Sequence, residues 1–134
     1  MDGVEIHEAV AALEAAGVLD EALGTLVPAR RLRGEVIRPA GRAWRLGALL
    51  LARDGTLYET GRVTRAIDPL RGQANKSPDA EARRDKQRAA VRGRFASGET
   101  VNFGFRQIDA PETVGGVLLG DYLAERVALA ITPP

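Results

Sequence analysis

Apolar positions recur with two different periods along the chain, and the changes between them divide it into helical and extended stretches. In residues 4–16, Ile6, Ala9, Val10, Leu13 and Ala16 fall on one side at helical spacing, with Glu8 and Glu14 away from it. This predicts an amphipathic helix that Gly17 stops. Residues 19–27 read as a second short helix interrupted by Pro28. From Leu32 the pattern turns to strands. Residues 32–38 contain the β-forming Val36 and Ile37 and are ended by the turn residues Pro39 and Gly41. Residues 44–52 follow, their unbroken apolar run at 48–52 implying burial on both faces. Asp54-Gly55 is a two-residue hairpin signal that returns the chain through residues 57–60, and residues 62–67 supply a further strand. Together these predict a meander of three or four antiparallel strands, with residues 68–76 as an exposed loop.

Ser77-Pro78-Asp79 begins a helix: serine caps free N–H groups, proline suits the first turn, and Asp79 with Glu81 suits the positive end of the dipole. This helix is expected over residues 78–96, with Gly98 as its stop. In residues 100–108, Val101, Phe103 and Phe105 alternate with Asn102, Gly104 and Arg106, the pattern of a half-buried strand. Pro111 and Gly115-Gly116 form a loop, and residues 118–131 make a last helix, apolar around more than half its circumference. The predicted class is α+β. It has an antiparallel sheet of about five strands, or a half-open barrel, packed by the N- and C-terminal helices, and an Arg-rich helix is inserted before the last strand.

The 134 residues suit a single globular domain, 1–134, and a content of 45% hydrophobic and 28% charged residues argues against wholesale disorder or a fibre. There is no cysteine, which excludes disulfides, thiolate metal sites and cysteine nucleophiles. The longest apolar run, residues 47–52, is far short of a bilayer span, and an acidic N-terminal segment argues against a secretory signal. The expected location is therefore cytoplasmic, with no membrane partner. Net charge is only +1, but it is unevenly spread. Residues 1–29 carry six acids and no Lys or Arg, residues 30–94 carry 17 basic against 7 acidic groups, and residues 95–134 carry 2 against 5. Such asymmetry marks either an anion-binding face or an acidic segment folding onto a basic one. Two lysines against 17 arginines, in a chain rich in Ala and Gly, is also the pattern of GC-rich coding.

Reactive groups are sparse. His7 is the only histidine, and a dyad or triad built on it would draw its nucleophile from Ser77, Ser97 or a threonine. It falls on the polar face of the first helix with Glu14, beside an end expected to fray, and reads as solvent-exposed. Ser77 is explained as a cap and Ser97 as part of a helix exit. No Cys/His spacing, H-E-x-x-H or D-x-D-x-D-G loop points to a metal, and Gly115-Gly116 lacks the spacing of a phosphate loop, so neither metal nor cofactor is expected. Phe103-Gly104-Phe105 resembles the centre of the RNA-recognition-motif octapeptide over three positions, a resemblance that would imply base stacking on a sheet face. Asn102, Val101 and Arg106 depart from that motif, and two core phenylalanines facing a helix are the favoured reading.

The expected function is a non-catalytic binding or scaffolding module that self-associates as a homodimer through Leu118, Tyr122, Leu123, Val127 and Leu129 of the last helix. The alternative is binding of nucleic acid, or of an acidic protein surface, through Arg83, Arg84, Arg88, Arg92 and Arg94, in a helix whose apolar stripe of Ala80, Val91 and Phe95 is narrow. Pairing of Asp79 with Arg83, Glu81 with Arg84 and Asp85 with Arg88 would neutralise part of that charge. An enzyme relying on carboxylates or a bound metal is the least supported of the three.

Overall fold

A computed structural model describes residues 4–69 and 77–134. It has α+β architecture, with three helices and a mixed, mostly antiparallel sheet of seven strands. The elements in chain order are α1 (Val4–Ala15), β1 (Glu21–Val27), β2 (Val36–Leu46), β3 (Leu49–Leu51), β4 (Leu57–Glu59), β5 (Arg62–Arg65), α2 (Pro78–Arg92), β6 (Thr100–Phe103), β7 (Arg106–Ile108), the short β8 (Thr113–Val114) and β9 (Val117–Leu118), and α3 (Leu119–Ile131). Hydrogen bonding links the seven strands in the order β5-β6-β1-β2-β3-β4-β7. The two ends of this order are β5 and β7, and among the described residues there is no closed barrel. The chain divides into two compact units. One comprises Met1–Asp20, Ala43–Thr60 and Phe105–Pro134, the other Glu21–Arg42 and Gly61–Gly104.

The first unit is built on leucine. Ile6, Ala9, Val10 and Leu13 of α1 pack with Leu119, Leu123 and Val127 of α3 and with Trp44, Leu46, Leu49, Leu51 and Leu57 from the strands. The antiparallel ladder β2-β3-β4 is the expected meander, and all three residues of β3 are buried, as the unbroken apolar run implies. The Trp44 indole N–H donates to the Val18 carbonyl at 2.9 Å, while the Arg53 guanidinium lies over its ring. At the β2–β3 turn the Tyr122 hydroxyl donates to the Leu46 carbonyl and accepts from the Ala48 N–H, each at 2.8 Å. Gly47 makes this possible: its φ is 65°, and a Cβ there would lie 2.2 Å from the hydroxyl oxygen.

The second unit has a smaller core, with Ala89 and Ala90 of α2 against Ile37, Ala66, Val101, Phe103 and Ala22. Its strands mix directions: β6 runs parallel to β1 and antiparallel to β5. Asn102, only 1% exposed, donates to the Glu21 carboxylate at 2.9 Å and to the Ala22 carbonyl at 3.1 Å, so the polar side chain is satisfied inside the ladder.

The structure departs from the sequence pattern in several places. Residues 21–27 are strand β1, not helix. Parallel pairing with β6 sets Ala22 opposite Val101 and Leu23 opposite Asn102, and side-chain methyls of Ile37 and Val101 occupy the space where a Cβ on Gly24 would lie. The chain does not turn at Pro39 and Gly41, because β2 runs extended through them, across five exposed positions where a missing N–H is tolerated. Residues 62–65 do not extend the meander but pair with β6. The single strand expected over 100–108 is broken at Gly104, whose φ of 68° ends β6 and lets β7 pair with β4 in the first unit. Asn102, expected on a polar face, is buried. These changes turn about five strands into seven. Helix α2 stops at Arg92 rather than near Ala96, because Gly93 caps it with its backbone pressed onto β2. The loop expected at 68–76 lies outside the described residues from 70 to 76.

A Cβ on Gly93 would lie 1.7 Å from the Ile37 carbonyl oxygen, a clash between backbones that no rotamer relieves. Gly93→Ala should therefore lower unfolding stability by about 3 kcal/mol in denaturant titration. At the hairpin turn the Thr56 N–H donates to the Asp54 carboxylate at 2.9 Å. This bond, with help from the Thr56 hydroxyl, holds the Asp54 carboxyl below the ordinary aspartate value. Its folded-state value being depressed, Asp54 favours the folded chain above the unfolded pKa and ceases to as pH falls through the folded one. The NMR titration of its carboxyl carbon should show a midpoint below that of aspartate in an unstructured peptide.

Candidate anion-binding surface and an acidic cleft

The charge asymmetry of the sequence follows the division into units. The second unit holds 15 Lys and Arg against 7 Asp and Glu, a net of +8, whereas the first holds 4 against 11, a net of −7. The near-neutral total therefore conceals two strongly charged parts.

Within the second unit, α2 is positioned by its ends. Ser77 accepts the Ala80 N–H at 3.2 Å at one end, and Gly93 closes the other. Its buried residues are Ala80, Arg84, Ala89 and Ala90. Val91 is exposed, so the expected Ala80, Val91, Phe95 stripe is replaced by alanines that let the helix lie close to the strands. The five candidate arginines divide by environment. Arg84 is 8% exposed and bound to Glu81 at 2.5 Å, and Arg88 pairs with Asp85 at 3.1 Å. Two of the three expected helical ion pairs are thus present. Lys86 reaches across to Glu35 at 2.6 Å, and Arg92 donates to the Glu35 backbone carbonyl at 2.8 Å. Arg83 and Arg94 are exposed and make no ion pair among the described residues; Arg94 sits at a φ of 65°, a left-handed conformation unusual for arginine.

Other arginines of this unit are held by neutral groups. Arg65 donates through Nε and Nη2 to the Gly98 carbonyl, Arg33 donates to the Pro28 carbonyl, and Arg62 stacks over the Phe103 ring with 5.1 Å to its centroid. A carbonyl or ring orients a guanidinium without cancelling its charge, which a carboxylate does. The exposed turn at residues 30–33 adds Arg30 and Arg31 beside Leu32. Sequence reading missed this turn by starting a strand at Leu32. The available signal was a lone leucine among three arginines, bounded by Pro28 and Gly34.

The first unit carries a cleft of about 560 Å³ whose lining includes Glu5, Glu112, Asp121, Pro111 and Leu118. The Glu5 carboxylate lies against Gly120 in the first turn of α3, which has no side-chain cap, and its Oε2 is buried without a hydrogen-bond partner. Among the described residues no group of three or more His, Asp or Glu is placed to hold a metal ion. His7 is exposed on α1. The five residues expected to mediate self-association are split: Leu123 and Val127 are buried in the first unit's core, Tyr122 is fixed to the β2–β3 turn, and Leu118 and Leu129 are 57% and 42% exposed. Phe103 is in the second unit's core, while Phe105 packs edge-on against Tyr58 in the first unit. No described helix is long and apolar enough to cross a membrane.

No protein-family model matches the chain, and no curated protein or solved structure matches it.

The burial of Arg84 makes a test of this geometry. Arg84→Glu would set a second carboxylate beside Glu81 in a largely buried position and should cost about 3 kcal/mol of stability. Arg88→Glu, at a half-exposed site, should cost less than about 1 kcal/mol. Parallel thermal and denaturant melts distinguish the two.

Proposed function

We propose that the protein is a non-catalytic binding module whose basic second unit takes up a polyanion, and that the polyanion is nucleic acid. The observation that carries this reading is the anchoring of Arg33, Arg62, Arg65 and Arg92 on carbonyls and an aromatic ring, with Arg30, Arg31, Arg83 and Arg94 exposed beside them in the sequence of the same unit. Guanidinium groups held in place but not neutralised suit the repeated, bidentate acceptors of a phosphate backbone. A net of +8 in one unit supplies the long-range attraction. Self-association has less to rest on, because of the five residues expected to mediate it Leu123 and Val127 are buried in the first unit's core and Tyr122 is fixed to the β2–β3 turn.

The test is binding of the full chain to labelled 20-base-pair DNA and RNA duplexes across a salt series. Affinity should fall with a log–log slope of about −0.9 per phosphate neutralised. The double variant Arg83→Glu/Arg94→Glu should weaken binding at every sequence and make that slope shallower by about 2. Binding that is absent, or that ignores salt, would overturn the proposal.

A further inference from the structure

The turn at residues 30–33 combines a hydrogen-bonded backbone with an exposed aliphatic tip. The Arg30 N–H donates to the Arg33 carbonyl at 2.8 Å and the Arg33 N–H returns to the Arg30 carbonyl at 3.0 Å, closing a two-residue loop with Arg31 and Leu32 at its tip. Leu32 is 98% exposed. Its base is stiffened from α2, since the Arg92 guanidinium stands where a Cβ on Gly34 would come within 2.6 Å of Nη1 and donates to the next carbonyl, that of Glu35. The Arg33 Nε is buried without a partner. The tip therefore presents a bare aliphatic side chain between arginines on a braced, narrow loop.

From this geometry we infer that residues 30–33 form a wedge that enters the minor groove of duplex DNA, with Arg31 against the groove's phosphates and Leu32 against a base step. This rests on the nucleic-acid reading above and specifies how the duplex is engaged. An aliphatic side chain flanked by cations opens base steps and bends the duplex, whereas a single strand is taken up by stacking on aromatic rings. Within the second unit the aromatic residues are Phe103, buried in its hydrophobic core, and Phe95, partly buried against it, so the unit offers an aliphatic contact and no open stacking platform. A paired turn is wider than the roughly 6 Å minor groove of undistorted B-DNA, so its entry is coupled to the groove widening and unstacking that bend the duplex. Against a lipid surface, one leucine is a weak anchor, and the unit's other exposed apolar residues, such as Val63 and Val91, lie on different elements.

Leu32→Ser tests the wedge with the full chain, because so exposed a side chain contributes nothing to the core and its melting curve should be unchanged. The probe is a 20-base-pair duplex with a central, easily unstacked TA step and a donor–acceptor dye pair at its ends. The wild-type chain should shorten the end-to-end distance on binding. Leu32→Ser should bind about tenfold more weakly, lose the bend and keep the salt slope. If Leu32→Ser binds and bends the duplex like wild type, or if the wild-type chain binds with salt dependence but without bending, the wedge is overturned while the polyanion reading stands. Failure of the wild-type chain to bind any duplex overturns both. Leu32-dependent binding to phosphatidylserine-containing vesicles, with no bending of DNA, would reassign the turn to a membrane surface and equally overturn it.

Discussion

The close seating of α2 on β2 is the constraint from which the second unit's surface follows. Gly93 brings the end of the helix against the Ile37 carbonyl, nearer than any residue with a Cβ could come, and Ala89 and Ala90 fill the interval with methyl groups. Alanine buries little area, so this contact contributes less hydrophobic free energy per residue than the leucine-rich packing of the first unit. Its value lies in geometry. At that separation Lys86 reaches Glu35 and Arg92 reaches the Glu35 carbonyl. The turn that begins at Arg30 is thereby held from beneath, and a larger residue at the seam would move the helix and the turn together.

Charge is organised by the same division. A sum of +1 says nothing of an acidic part at −7 and a basic part at +8, and the parts are assembled from segments that alternate along the chain. Within the basic part, Glu35, Glu81, Asp85 and Glu99 bind cations both near and far in sequence, as in the Arg42–Glu99 pair at 2.6 Å, whereas Arg33, Arg62, Arg65 and Arg92 rest on carbonyls or a ring.

Elements with strong local signals were legible in the sequence. The helical period of α1, the Ser77 cap, the Asp54-Gly55 hairpin and the buried run at Leu49–Leu51 each reflect physics acting within a few residues. What could not be read depended on distant partners. Residues 21–27 become a strand through parallel pairing with β6, nearly eighty residues later, and Asn102 is buried because Glu21 and Ala22 supply its acceptors. Neither leaves a trace in local spacing. Of the candidate site, the arginine-rich helix and its self-pairing were visible, whereas the inward placement of Arg84 and the exposed tip at Leu32 required the tertiary structure.

The Tyr122 hydroxyl has a use beyond holding the β2–β3 turn. Donating to Leu46 and accepting from Ala48 commits its proton and a lone pair. Phosphorylation or any other derivatisation of that oxygen is therefore incompatible with the closed turn. Modification of Tyr122 would thus loosen the tie between α3 and the β2–β3 turn.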